Sequence, residues 1–178
     1  MLVLLLTMTK SEFQIHVLPL KQKLFAFAWK LLRNNEYAGD VVQDVMLKVW
    51  EENKSLQDYR NMEAWCMTLT RNKSLDKMKR KDYRGLGLDQ VQVAEQGFSS
   101  GNQADAKEAL ALVVDIIKSL PDKQREIIEL RDFADLSYDD IAAQLNIDIN
   151  QVKVYLHRAR KQVQLSLHKI MCYGTSAE

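Results

Sequence analysis

Two prolines and six glycines in 178 residues are too few for a chain built of tight turns. An all-β sandwich or barrel, which needs turn residues at short regular intervals, is excluded on that ground. Cysteine is as scarce. Cys66 and Cys172 stand far apart, so no disulfide framework or cysteine-built metal centre is expected. Cys66 lies beside Trp65 and Leu69 and reads as a buried, reduced thiol, which fits a cytoplasmic protein. The three histidines, His16, His157 and His168, lack metal-ligand spacing, and no glycine-rich phosphate loop is present. The chain is therefore not expected to be an enzyme or to carry a metal or cofactor. The apolar run Met1 to Leu6 falls well short of the ~20 residues that span a bilayer, so no stable membrane insertion is expected. It also lacks the basic region and cleavage site of a signal peptide. Residues 1–10 are expected to be an extension, with a second start at Met8.

What remains is strong helical periodicity, and the fold class expected is all-α. Ser11 to Leu32 reads as a helix that Pro19 kinks or restarts. Arg33 to Asn35 is a turn. Glu36 to Glu52 carries an apolar stripe of Ala38, Val41, Val42, Val45, Met46, Val49 and Trp50. Its outward face shows Asp40, Gln43, Asp44, Leu47 and Glu51. Asn53 to Asn61 is a loop. Met62 to Lys81 is a third helix, with Met62, Trp65, Cys66, Leu69, Leu75 and Met78 expected inward. Its end is crowded with bases, among them Arg71, Lys73 and Lys77, beside Asn72. Residues 82–105 hold four of the six glycines and no helical stripe, and read as a flexible linker between two small helical domains, 11–81 and 106–170. Two further helices follow, at Ala106 to Ser119 and Pro121 to Phe133. Residues 171–178 read as a polar tail.

Net charge is only +1, but the signs are sorted. Glu36 to Glu63 holds seven acids and three bases, whereas Arg71 to Arg84 holds seven bases and two acids. Blocks of opposite sign indicate separate surfaces for separate partners.

The densest signal is Leu136 to Arg160, LSYDDIAAQLNIDINQVKVYLHRAR. Ser137 and Asp140 predict a capped first helix with Ile141, Ala142 and Leu145 on its apolar face. Asn146 follows where a left-handed C-cap is wanted. Asp148 and Gln151 predict a second capping box. Val152, Leu156, Ala159 and Val163 form the inner stripe of the second helix. Gln151, Lys153, Val154, His157, Arg158 and Lys161 face outward. From Gln151 to Lys169 there are five bases and no acid. This pattern predicts a helix-turn-helix whose second helix docks in the DNA major groove.

Two motif blocks in order then give a family likeness. DVVQDVMLKVW (Asp40 to Trp50) is similar to conserved region 2.2, and AWCMTLTRNKSLDKMKRK (Ala64 to Lys81) to regions 2.3 to 2.4. Leu120 to Val163 is similar to region 4. From Phe13 to Leu167 the chain resembles bacterial RNA polymerase sigma factors of the extracytoplasmic-function (group IV) type, in the sigma-70 family. The resemblance implies a factor that binds core RNA polymerase and promoter DNA and directs initiation, and it allows an anti-sigma factor as a further partner. It implies that Asp40, Gln43 and Asp44, with Leu47 beside them, grip the polymerase. Arg71, Asn72, Lys73 and Lys77 would meet the −10 element, and Tyr59 would stack on a flipped base. Gln151, Lys153, Val154, His157 and Arg158 would meet the −35 element.

Several positions depart from the family pattern. Gly39 stands where an acid is common, and Asn146 replaces the turn glycine. Gln151, Val154 and Tyr155 stand where Thr, Ser and Arg are frequent. Val154 can touch a thymine methyl but cannot hydrogen-bond. A conventional operator-binding regulator is the alternative, but it needs a dimer and leaves the Asp40 to Trp50 block without a task.

Overall fold

The computed structural model describes residues 8–52, 59–80 and 103–174. Residues 1–7 of the expected extension, 53–58 of the expected loop, 81–102 with most of the expected linker, and 175–178 of the expected tail lie outside the described residues. The described residues form helices and no strand, as an all-α fold requires. The chain divides into two compact units, Met1–Ala94 and Glu95–Glu178.

The first described helix is capped at Thr9, two residues before the start expected near Ser11. The Thr9 hydroxyl accepts from the Glu12 N–H at 3.2 Å, and the Glu12 carboxylate accepts from the Thr9 N–H at 2.7 Å. These bonds hold the Glu12 carboxyl below its ordinary range. The reciprocal cap opens a short helix, α1 (Lys10–Glu12). Regular winding then fails ahead of Pro19. The ladder widens to a π turn over Phe13–Val17 and tightens to a 3₁₀ turn over Leu18–Leu20. Proline has no N–H to donate, and its ring crowds the carbonyl four residues back. The α-helix resumes as α2 (Lys21–Leu32).

Arg33 ends α2 in the left-handed region at φ 54°, and Asn34 caps α3 (Asn35–Glu52) by accepting from the Tyr37 N–H at 2.9 Å. Asn61 does the same for α4 (Met62–Lys79), accepting from Ala64 at 3.1 Å. Helices α2, α3 and α4 pack pairwise into a three-helix bundle. Leu24, Phe27, Val41, Val42, Val45 and Met67 are among its fully enclosed side chains.

Two expectations about this core need correction. On α4 the buried stripe is Ala64, Cys66, Met67, Thr70, Arg71 and Ser74. Met62, Trp65, Leu69, Leu75 and Met78 are only half-buried. The stripe mixes small residues with Met67 and Arg71 where α4 meets both α2 and α3. The Thr70 hydroxyl is satisfied within the helix, donating to the Cys66 carbonyl at 2.8 Å. On α3, Trp50 is exposed rather than inward and meets Phe13 edge-on at 5.5 Å between ring centroids.

The second unit comprises α5 (Gln103–Lys118), α6 (Asp122–Ile128), a π turn at Glu129–Phe133, α7 (Tyr138–Leu145) and α8 (Ile149–Gly174). Residues 103–105 and 171–174 are helical where linker and tail were expected. Helices α5, α6 and α7 all pack against α8. Ile117, Leu120, Ile127, Leu130, Ile141, Val152 and Leu156 form the core.

The caps of α7 and α8 fall where expected, but the reciprocal bond expected at Ser137 differs, because the Asp140 carboxylate takes the Ser137 hydroxyl and not its backbone N–H. Ser137 accepts from the Asp140 N–H at 3.1 Å and donates its hydroxyl to the Asp140 carboxylate at 2.6 Å. Asn146 adopts the left-handed conformation at φ 50°. Asp148 then accepts from the Asn150 N–H at 2.7 Å, while its own N–H donates to the Gln151 side-chain oxygen at 3.1 Å.

Two stability outcomes follow. Asn146→Ala should cost roughly 1 kcal/mol because alanine resists the left-handed region, whereas Asn146→Gly should be close to neutral. Arg71→Ala should cost about 2 kcal/mol through lost packing of a buried side chain, and the exposed Asn72→Ala less than about 0.5 kcal/mol. Urea unfolding curves check both pairs. Equal curves for Arg71→Ala and wild type would return Arg71 to the surface.

Candidate nucleic-acid interface

The α3 capping turn fixes the helical phase, and with it an outward ridge. Asp40, Gln43, Asp44 and Leu47 are all exposed, Leu47 by 55 %. The neighbouring helix α4 turns Asn72 fully outward and leaves Lys73 and Lys77 half-exposed. Arg71, expected among these outward bases, is corrected. It is 4 % exposed, because its position lies on the stripe that faces the bundle. It belongs to the core and not to the phosphate-ready face.

The acidic ridge of α3 and the basic ridge of α4 are neighbours. Lys77 Nζ lies 3.0 Å from Asp40 Oδ2, and Lys73 Nζ lies 3.6 Å from Asp44 Oδ2. Lys77 also sits over the Tyr37 ring, 4.6 Å from its centroid. Asp76 and Arg80 join these four charges around a shallow cleft floored by Val41. The two surfaces expected to serve different partners thus neutralise each other in this state. Exposed pairs of this kind contribute about 0–1 kcal/mol each, so neither is locked.

Tyr59 is half-buried, and its ring lies 4.9 Å from that of Trp65 between centroids. Its hydroxyl is 3.5 Å from a Glu52 carboxylate oxygen. The hydropathy pattern of α4 points Trp65 inward and gives no sign of this aromatic pair. The signal available was the loop-to-helix junction itself: Asn61 caps α4, which puts Trp65 one turn above the end of the loop that carries Tyr59.

In the second unit Gln151, Lys153, Val154, His157 and Arg158 are exposed along the first three turns of α8, opposite the buried Val152, Leu156 and Ala159. Asn150, absent from the expected set, is exposed on the same face. Arg160 is set apart. It donates through Nε to Asp132 at 3.1 Å, and this carboxylate raises its already high pKa. Arg160 therefore ties α8 to the π turn after α6. Arg131 braces the same region, donating to the Leu136 carbonyl at 2.7 Å with its guanidinium over Tyr138.

Other chemistry is sparse. Burial, with the nearby charge of Glu63, pushes the Cys66 thiol up to about 12, so it stays protonated. Among the described residues no group of three or more His, Cys, Asp or Glu is placed to hold a metal ion. Among them, too, no helix is long and apolar enough to cross a membrane.

Both units resemble known proteins. Residues 17–84 match Sigma-70 region 2, and residues 110–163 match Sigma-70, region 4. The chain is 27 % identical over 163 residues to the ECF RNA polymerase sigma factor SigW of Bacillus subtilis, covering 84 % of this chain and 86 % of that protein. It is 28 % identical over 150 residues to the ECF RNA polymerase sigma factor SigL of Mycobacterium tuberculosis, covering 83 % and 84 %. Among solved structures it is similar to the sigma factor RpoE of Bartonella quintana, solved with the anti-sigma factor NepR. There the identity is 28 % and the TM-score 0.63, over 89 % of this chain and 98 % of that one. CnrH, solved with the cytosolic domain of CnrY, shares the fold at 24 % identity and a TM-score of 0.63, over 90 % of each chain. The chain belongs to the sigma-70 family of RNA polymerase sigma factors, in its extracytoplasmic-function group.

Proposed function

We propose that this sigma factor works through four surfaces and catalyses no reaction of its own. It binds core RNA polymerase and directs promoter-specific transcription initiation by reading −10 and −35 elements. The observation that carries this reading is the order of the two family matches, region 2 on the first unit and region 4 on the second. An operator-binding regulator would use the second unit and leave the first without a task.

Each surface has a chemistry suited to its partner. Asp40, Gln43, Asp44 and Leu47 form a polar, acidic ridge with one exposed apolar side chain, fitted to a basic helical surface on the polymerase. Asn72, Lys73 and Lys77 offer an amide and two cations to the −10 region. The Tyr59–Trp65 pair supplies a stacking platform for an unpaired base. The exposed face of α8 enters the major groove at the −35 element, with Lys153 and Arg158 toward phosphates and base edges. Melting is favoured because an open strand binds the first unit better than duplex does. A sigma factor works where the chromosome is, in the cytoplasm. The Bartonella quintana relative was solved with an anti-sigma factor, and a partner of that class is proposed here as well.

Two experiments test the assignment. Run-off transcription with core polymerase on genomic fragments should yield new discrete transcripts, lost with Asp40→Ala/Gln43→Ala/Asp44→Ala. No transcripts and no co-elution with core would remove the sigma reading. Without core, Asp40→Asn/Asp44→Asn should bind single-stranded oligothymidine a few-fold more tightly at low salt, since two pairs of about 0–1 kcal/mol each are released. Glu36→Gln/Glu51→Gln makes the same change in net charge and should do less. Equal gains from both variants would mean that net charge alone is at work.

A further inference from the structure

The N-terminal residues of a recognition helix reach the base edges, so the commitments of its first side chains decide what can be read. Two amides stand there, Asn150 and Gln151. Gln151 is the obvious reader, yet its side-chain oxygen already accepts the Asp148 N–H at 3.1 Å. Bidentate recognition of adenine needs an amide that accepts from N6 and donates to N7 in one plane. An amide whose oxygen is held by a cap is poorly placed to turn that plane toward a base.

Asn150 is in the opposite condition. Its backbone N–H is satisfied by the Asp148 carboxylate at 2.7 Å, which fixes its place in the first turn. Its side chain is exposed and makes no hydrogen bond among the described residues. At about 100° per residue, Asn150 lies about 40° from Val154 and about 80° from Arg158 around the axis, with Val154 between them. Gln151 lies to the other side of Val154, about 60° away. Asn150, Val154 and Arg158 form one outward row at i, i+4 and i+8, and Gln151 lies at its edge, about 20° beyond Arg158. Val154 is 47 % exposed and is the apolar member of that row.

We propose that Asn150, not Gln151, is the specificity-determining amide of α8. It reads one adenine of the upstream promoter element through N6 and N7, while Gln151 acts as the helix cap that holds it in place. Val154 meets a thymine methyl on the same groove wall. Four residues of helix advance about 6 Å, and base pairs are stacked about 3.4 Å apart, so the two contacts fall within about two steps of each other. This inference rests on the reading of α8 as the −35 helix.

The test uses the full chain with core polymerase. Holoenzyme first selects its preferred promoter from a pool randomised across the upstream element. Each adenine of that element is then replaced in turn by 7-deazaadenine, which exchanges the N7 acceptor for a C–H. At one adenine the replacement should weaken promoter binding about 5- to 150-fold for wild type. The same replacement should change binding less than about twofold for Asn150→Ala, which has no amide left to lose. Gln151→Ala should lower the melting temperature and keep the full 7-deazaadenine effect. Loss of that effect in Gln151→Ala but not in Asn150→Ala would overturn the proposal, as would an element with no N7-sensitive adenine. Failure of holoenzyme to select any upstream element would instead overturn the −35 reading beneath it.

Discussion

The close approach of α4 to α2 and α3 is the constraint on which the first unit depends. Its contact stripe holds Ala64, Thr70 and Ser74 beside the larger Met67 and Arg71, all enclosed by the neighbouring helices. Bulkier residues there would push α4 outward and separate Lys73 and Lys77 from Asp44 and Asp40. The charged ridge is thus a product of the interior. Its acids and bases oppose one another because α3 and α4 pack side by side, and each ridge is presented to a partner at a spacing the bundle sets.

In the second unit the equivalent constraint is a run of backbone decisions. Asn146 turns the chain left, Asp148 opens α8, and Gln151 closes the cap behind it. None of these side chains contributes much burial. Together they set where the first turn of α8 begins, and so which residues face outward from it. The Arg160–Asp132 pair and the Arg131 bond to the Leu136 carbonyl then fasten this hairpin to the helices that precede it.

Much of this was legible in the sequence, for reasons that differ between elements. The α7–turn–α8 hairpin was read almost residue by residue, because capping residues act locally and their spacing is fixed by helix geometry. The outward face of α3 was read from a clean apolar stripe on its other side. The α4 helix defeated the same method. Its buried stripe holds threonine, serine and arginine, and hydropathy cannot tell that a neighbouring helix encloses them. Arg71 was therefore placed on the surface and Trp65 in the core, both in error. The pairing of Asp40 with Lys77 and of Asp44 with Lys73 joins residues 37 and 29 positions apart, and no local pattern announces it. Asn150 and Gln151 are adjacent amides of the same chemistry, and only their hydrogen bonds separate them.

Cys66 has a consequence for how this protein is informed about its surroundings. Thiols that register peroxides or electrophiles do so as exposed thiolates. Cys66 is enclosed, and its proton is held far above physiological pH. At that position the bundle is deaf to redox chemistry. A signal of that kind does not enter this unit through its buried thiol.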